Sequence, residues 1–117
     1  MNIEELRNFC LSLKGAEESM PFDDKTLVFS VKGKIFCATD INTYEFVNLK
    51  CDPDKAIQLR EQYNEVIEGY YMNKKHWNSV KTKGKITDKQ FQEWIKDSYD
   101  LVVLALPKKI QKELNDE

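Results

Sequence analysis

The stretch from Thr26 to Leu49 constrains the fold more than any other part of this chain. Thr26-Leu27-Val28-Phe29-Ser30-Val31 runs into the turn residues Lys32-Gly33 and then into Lys34-Ile35-Phe36-Cys37-Ala38. Two runs rich in β-branched and aromatic residues, separated by two residues of which the second is glycine, predict a hairpin, because glycine supplies the positive φ of a tight turn. Leu27, Phe29 and Val31 then share one face. After the polar loop Asp40-Ile41-Asn42-Thr43, a third strand is predicted over Tyr44 to Leu49. Glu45, Val47 and Leu49 alternate there with Tyr44, Phe46 and Asn48. The result is a three-stranded meander whose apolar face needs helices to cover it.

Helices are signalled on both sides of the meander. Asn2 is placed to cap a first helix with Glu5 at the reciprocal position, and Leu6, Phe9, Cys10 and Leu13 fall on one face before Gly15. Asp52-Pro53 starts a second helix that runs to about Tyr63, since a proline at the first helical position gives up an N–H that has no partner anyway. Val66-Ile67 and Tyr70-Tyr71, around Gly69, predict a short or bulged strand, and Trp77 to Lys81 a strand ending at a Lys83-Gly84 turn. Thr87 and Gln90 suggest another capping box. Phe91, Trp94, Ile95, Ser98, Leu101, Val102 and Ala105 then follow helical spacing until Pro107, with a short polar helix over Lys108 to Leu114 beyond it. The order specifies a two-layer α+β domain: a mostly antiparallel sheet of about five strands with helices on one face.

The chain has 117 residues, 41% hydrophobic and 32% charged. That is one domain, residues 1–117, able to bury a single core. The longest apolar run, Leu101 to Leu106, is far too short to span a membrane, and Glu4 and Glu5 stand where a signal peptide would carry cations. The expectation is a cytoplasmic protein with no membrane partner. Cys10, Cys37 and Cys51 are odd in number and widely spaced, which suggests neither a disulfide framework nor a zinc site. No metal and no cofactor are expected. The chain contains no Gly-rich phosphate loop, metalloprotease helix or nucleophile elbow, so no enzymatic activity is expected. Ser98, Tyr99 and Asp100 are neighbours in a helix and diverge around it rather than converging as a triad.

Net charge is −2 with a pI near 5.5, which speaks against nucleic-acid binding by total charge. The distribution differs from the total. From Asn73 to Ile86 there are five lysines (Lys74, Lys75, Lys81, Lys83, Lys85) and no acid, while acids gather in residues 4–24, 61–68 and 115–117. Such lysines can contact phosphates, with Trp77 offering a stacking face, or they can guard a sheet edge against aggregation. His76, the only histidine, has no second histidine, nearby cysteine or nucleophile beside it and reads first as a packing residue. It and Asn78 lie on the opposite strand face from Trp77.

Lys74-Lys75-His76-Trp77-Asn78-Ser79-Val80 and Ser98-Tyr99-Asp100-Leu101-Val102 stand out as fixed blocks. With Pro21-Phe22-Asp23 and Asn48-Leu49-Lys50-Cys51-Asp52-Pro53, they make the chain resemble the MmcQ/YjbR family of small bacterial proteins over nearly its whole length. The resemblance implies an α+β fold with a double-wing arrangement and binding to duplex DNA. The wings would be the turns Lys32-Gly33-Lys34 and Lys83-Gly84-Lys85. The candidate nucleic-acid-binding residues are thus Lys32, Lys34, Lys74, Lys75, His76, Trp77, Asn78, Lys81, Lys83 and Lys85. Four to six phosphate contacts would give a salt dependence with a log–log slope of roughly −4 to −5. The alternative is a protein-interaction or chaperone-like adaptor presenting Tyr44, Phe46 and Tyr70 on an exposed sheet face. A monomer is the expected state.

Overall fold

The computed structural model describes residues 1–69 and 73–117. Among the described residues six strands form one antiparallel sheet: β1 (Ala16–Ser19), β2 (Thr26–Val31), β3 (Lys34–Asp40), β4 (Phe46–Lys50), β5 (Val66–Glu68) and β6 (Trp77–Lys81), in the spatial order β1-β2-β3-β4-β6-β5. The helices are α1 (Ile3–Ser12), α2 (Pro53–Gln62), α3 (Asp88–Leu104) and α4 (Lys108–Asn115). α1 packs on β1, α3 on β2 to β4, and α2 on β5 and β6. The α+β architecture with a helix-covered antiparallel sheet is as the sequence predicts.

Local signals set most of these elements. The Asn2–Glu5 capping box is complete, with Asn2 Oδ1 accepting the Glu5 N–H at 2.8 Å and Glu5 Oε1 accepting the Asn2 N–H at 2.9 Å. Asp52 caps α2 ahead of Pro53. At α3 only half the expected box forms: Thr87 Oγ1 accepts the Gln90 N–H at 3.1 Å, while the Gln90 side chain turns to Glu93. The β2–β3 turn has φ of 49° at Lys32 and 80° at Gly33. Two positive φ values in succession match the right-handed twist of the flanking strands.

Three details depart from the sequence reading. β1, Ala-Glu-Glu-Ser, is a sixth strand that the sequence does not announce, since an exposed polar edge strand has no apolar alternation. Tyr44 sits in a turn with φ of 43°, so β4 begins at Phe46. The Lys83-Gly84-Lys85 segment is no hairpin turn; it belongs to the connection between β6 and α3. Part of the expected strand around Gly69, Tyr70 and Tyr71, lies outside the described residues.

A bulge shapes the core. Phe29 pairs with Cys37 and Ser30 with Ile35, which leaves Phe36 as an extra residue in β3. Strict alternation would send Phe36 and Cys37 to opposite faces, but both lie in the core with Leu27, Phe29 and Val31 of β2, Val47 and Leu49 of β4, and Phe91, Trp94, Ile95 and Tyr99 of α3. Phe36 meets Tyr99 edge-on at 5.3 Å, and Trp94 meets Tyr63 at 5.2 Å. The opposite sheet face carries a cross-strand row, Val28, Ala38, Asn48 and Ser79, all buried. Ser79 Oγ donates to Asn48 Oδ1 and Asn48 Nδ2 to the Ala38 carbonyl, which offsets the desolvation of these polar groups.

Candidate nucleic-acid interface

The strand registers divide nine of the ten candidate residues into two groups, with Asn78 inside β6 between them. The β2–β3 turn marks one end of the sheet. Cys37 pairs with Leu49 and Lys50 with Trp77, so Lys50 and Trp77 stand at that same hairpin end, with Lys74, Lys75 and His76 in the connection just before Trp77. Phe46 pairs with Lys81 at the other end. The five residues of β6 separate the two ends by about 13 Å. Lys32, Lys34, Lys74, Lys75, His76 and Trp77 therefore share one end, and Lys81, Lys83 and Lys85 the other.

At the distal end the lysines answer to an acid. Glu65 Oε2 accepts the Lys85 N–H at 2.8 Å and the Glu65 carbonyl accepts the Lys81 N–H at 2.8 Å. The first of these bonds holds the Glu65 carboxyl below the usual carboxylate range, with the Lys85 and Lys81 ammoniums adding to the effect. Lys81 and Lys83 also line an open groove of about 430 Å³, but Glu45 lines it with them.

The hairpin end is different. An open groove of about 480 Å³ is lined by Gly33, Lys34, Ile35, Lys50, Trp77, Val102 and Ala105. Among the described residues its lining holds two lysines, Trp77, an apolar floor and no carboxylate. None of the ion pairs among the described residues uses Lys34, Lys50 or Lys75, whereas Lys32 Nζ is bound to Glu117 at 2.9 Å and Lys74 lies 3.8 Å from Glu68. The Glu117 contact raises the Lys32 ammonium above its ordinary value. Asn73 Oδ1 accepts the Lys75 N–H at 2.9 Å, shaping the turn that presents Lys74 and Lys75 to solvent.

Three candidates have other duties. Asn78 is 3% exposed and faces α2, accepting from Arg60 Nη1 at 2.8 Å and donating to the Ala56 carbonyl at 3.3 Å. Trp77 is 8% exposed, so it offers an edge to the groove and no free face for stacking. His76 is half-buried; its carbonyl accepts the Cys51 N–H at 2.8 Å and its N–H donates to the Asn73 carbonyl at 3.1 Å, which packs the connection against the end of β4. Conversely, Lys50 is absent from the sequence-based site, although alternation with Leu49 already puts it on the helix-free face.

Of the aromatics expected on an adaptor surface, the two among the described residues lie on opposite faces of the sheet. Tyr44 is half-buried on the helix side, with its hydroxyl donating to the Met1 carbonyl at 2.9 Å, and burial pushes its phenol up. Phe46 lies half-buried on the other face, and Tyr70 is outside the described residues. Cys10 and Cys37 are buried free thiols, with burial raising Cys37 well above its ordinary value; Cys51 is half-buried and also raised by desolvation. Among the described residues no cluster of His, Cys, Asp and Glu could hold a metal ion, and no helix is long and apolar enough to cross a membrane.

Comparison with known proteins agrees with this architecture. A family model described as YjbR matches residues 11–101. The uncharacterised protein YbdF of Escherichia coli O157:H7 is 37% identical over 110 residues, covering 93% of this chain and 90% of that protein. The uncharacterised protein YjbR of Escherichia coli K12 is 32% identical over 113 residues, covering 96% of each. A crystal structure of a Deinococcus radiodurans protein with a DUF419 domain superposes with a TM-score of 0.92 at 35% identity, covering 97% of this chain and 88% of that one. A Pseudomonas syringae protein, 22% identical, shares the fold with a TM-score of 0.76 over 87% of this chain and 99% of that one. The matched span runs from the last turn of α1 through the whole sheet and into α3, and it includes Lys34, Lys50 and Trp77 of the cationic groove: the chain belongs to the YjbR family.

Proposed function

We propose that this protein binds duplex DNA weakly through the phosphate backbone, using the hairpin end of its sheet. The observation that carries this reading is the groove between Lys34 and Lys50, lined by two lysines without a carboxylate, with Lys75 nearby. Each lysine that meets a phosphate releases a condensed counterion, so local charge can favour binding although the total is −2. Base reading is not part of the proposal. Trp77 and Asn78, the candidates whose ring and amide could have read a base, are buried.

Three lysines at one end imply a log–log salt slope of roughly −3, shallower than the −4 to −5 expected if both ends engaged, and dissociation constants of about 10⁻⁴ to 10⁻⁶ M near physiological salt. Lys34→Glu with Lys50→Glu should abolish binding while the protein stays folded, because Lys34 is exposed, Lys50 is half-buried, and neither is in an ion pair among the described residues. Lys81→Glu with Lys83→Glu should reduce affinity far less. Fluorescence anisotropy with a labelled duplex across a salt series measures both. Equal losses from the two double variants would move the interface off the groove, and no binding at low salt would end the DNA reading.

A further inference from the structure

Beside the groove, the pairing of β3 with β4 stops at Cys37 and Leu49, one residue short of Lys50. Cys51 N–H points to β6, donating to the His76 carbonyl at 2.8 Å, so the neighbouring Lys50 N–H points to β3. The β3–β4 register pairs Ala38 with Asn48, and two residues further on it would pair Phe36 with Lys50. That bond is replaced. Ser98 of α3, fully buried, accepts the Lys50 N–H on its Oγ at 2.9 Å and donates the same hydroxyl to the Phe36 carbonyl at 2.6 Å. One side-chain oxygen thus occupies the place of a ladder hydrogen bond, at the bulge where β3 already carries an extra residue. Just beyond this point Lys34 and Ile35 stand on one wall of the groove and Lys50 on the other.

We propose that Ser98 is the positioning residue of a phosphate site: its hydroxyl wedges β3 from β4, and the groove held open between Lys34 and Lys50 receives one phosphate group. This rests on the reading of the groove as the binding surface and adds how it is built and what chemical unit it takes. Ser98 satisfies both backbone groups at the wedge. Without the hydroxyl, Lys50 N–H and Phe36 C=O regain satisfaction by pairing directly, which draws the walls together.

The test uses the full chain, wild type and Ser98→Ala, with two probes: a short duplex DNA and inorganic tripolyphosphate. In the wild type, titration with tripolyphosphate should shift the backbone amide resonances of Ile35 and Lys50 first. Ser98→Ala should remain folded, weaken both probes by about three- to tenfold and make the DNA salt slope shallower by about 0.9, the share of one phosphate contact. In that background Lys50→Gln should add little, because the groove is already closed. A Ser98→Ala protein with a lowered thermal midpoint but unchanged affinity and slope below it would make Ser98 purely structural and overturn the proposal. So would wild-type amide shifts clustered away from Ile35 and Lys50, a reading that does not depend on any variant folding. Tripolyphosphate bound at the groove and weakened in Ser98→Ala, with no duplex binding, would leave the wedge standing and sink the DNA reading. Failure of the wild type to bind either probe would overturn both.

Discussion

Gly69 and Trp77 illustrate how single residues tune this surface. A Cβ on Gly69 would lie 2.8 Å from Trp77 Cβ and 2.9 Å from the Trp77 carbonyl oxygen, across the hydrogen bond that Gly69 N–H donates to that carbonyl at 2.9 Å. Backbone cannot yield as a flexible side-chain tip would. Gly69→Ala is therefore expected to destabilise the protein by about 1–3 kcal/mol, as overpacking does, and to displace the indole that borders the groove. Urea unfolding followed by tryptophan fluorescence reads both effects. An unchanged midpoint would mean that the β5–β6 edge relaxes freely. Lys50 is the residue most easily overlooked in the sequence, because a lone lysine at a strand end reads as solvated. Its alternation with Leu49 was legible, but its partner across the groove, Lys34, sits sixteen positions earlier and only the sheet brings them together.

Among the elements, α3 does the most organising. Phe91, Trp94, Ile95, Ser98, Tyr99 and Val102 are buried along it, as the helical spacing predicts for all of these but Tyr99. Tyr99 reaches the edge of Phe36 and donates its hydroxyl to the Lys14 carbonyl, tying α3 to the loop after α1. Trp94 is 6% exposed and packs edge-on against Tyr63 at the end of α2. Trp94→Ala should cost about 3–5 kcal/mol, a large fraction of the stability of a domain this size. Differential scanning calorimetry would show it as a strongly lowered midpoint, and an unchanged one would contradict the placement of α3. The connection after β6 teaches the opposite lesson. Lys83-Gly84-Lys85 carries the composition of a hairpin turn, yet no strand follows it, because the Thr87 cap commits the chain to α3 within a few residues.

At the scale of the whole molecule, carboxylates are held by hydrogen-bonded partners both local and distant. Glu18 is held below the usual carboxylate range by its hydrogen bond to Arg7, Asp23 by the Lys25 and Thr26 N–H groups, and Glu65 by the Lys85 N–H. A carboxylate depressed in the folded state contributes stability that is fully present above its unfolded value and lost as pH falls through the lower folded one. The urea midpoint should thus hold steady down to about pH 5 and fall below about pH 4. The variant combining Glu18→Gln, Asp23→Asn and Glu65→Gln should show a flatter acid limb. A limb of equal steepness in both would assign the acid sensitivity to other groups.

The sequence by itself determined the elements whose causes lie within a few residues: the β2–β3 turn through Lys32-Gly33, the helix starts through Asn2, Asp52 and Thr87, and the apolar stripe of α3. Those features fix an antiparallel sheet with helices on one face. Only the tertiary structure decided which lysines meet. The registers that send Lys81 to one end and Lys50 to the other, the Glu117 partner of Lys32, and the Ser98 hydroxyl between Phe36 and Lys50 join residues between 48 and 85 positions apart or depend on strand order. Such contacts are chosen by the packing of the whole chain, and nothing in the local pattern around Lys34 or Lys50 encodes that a serine in α3 will part their strands.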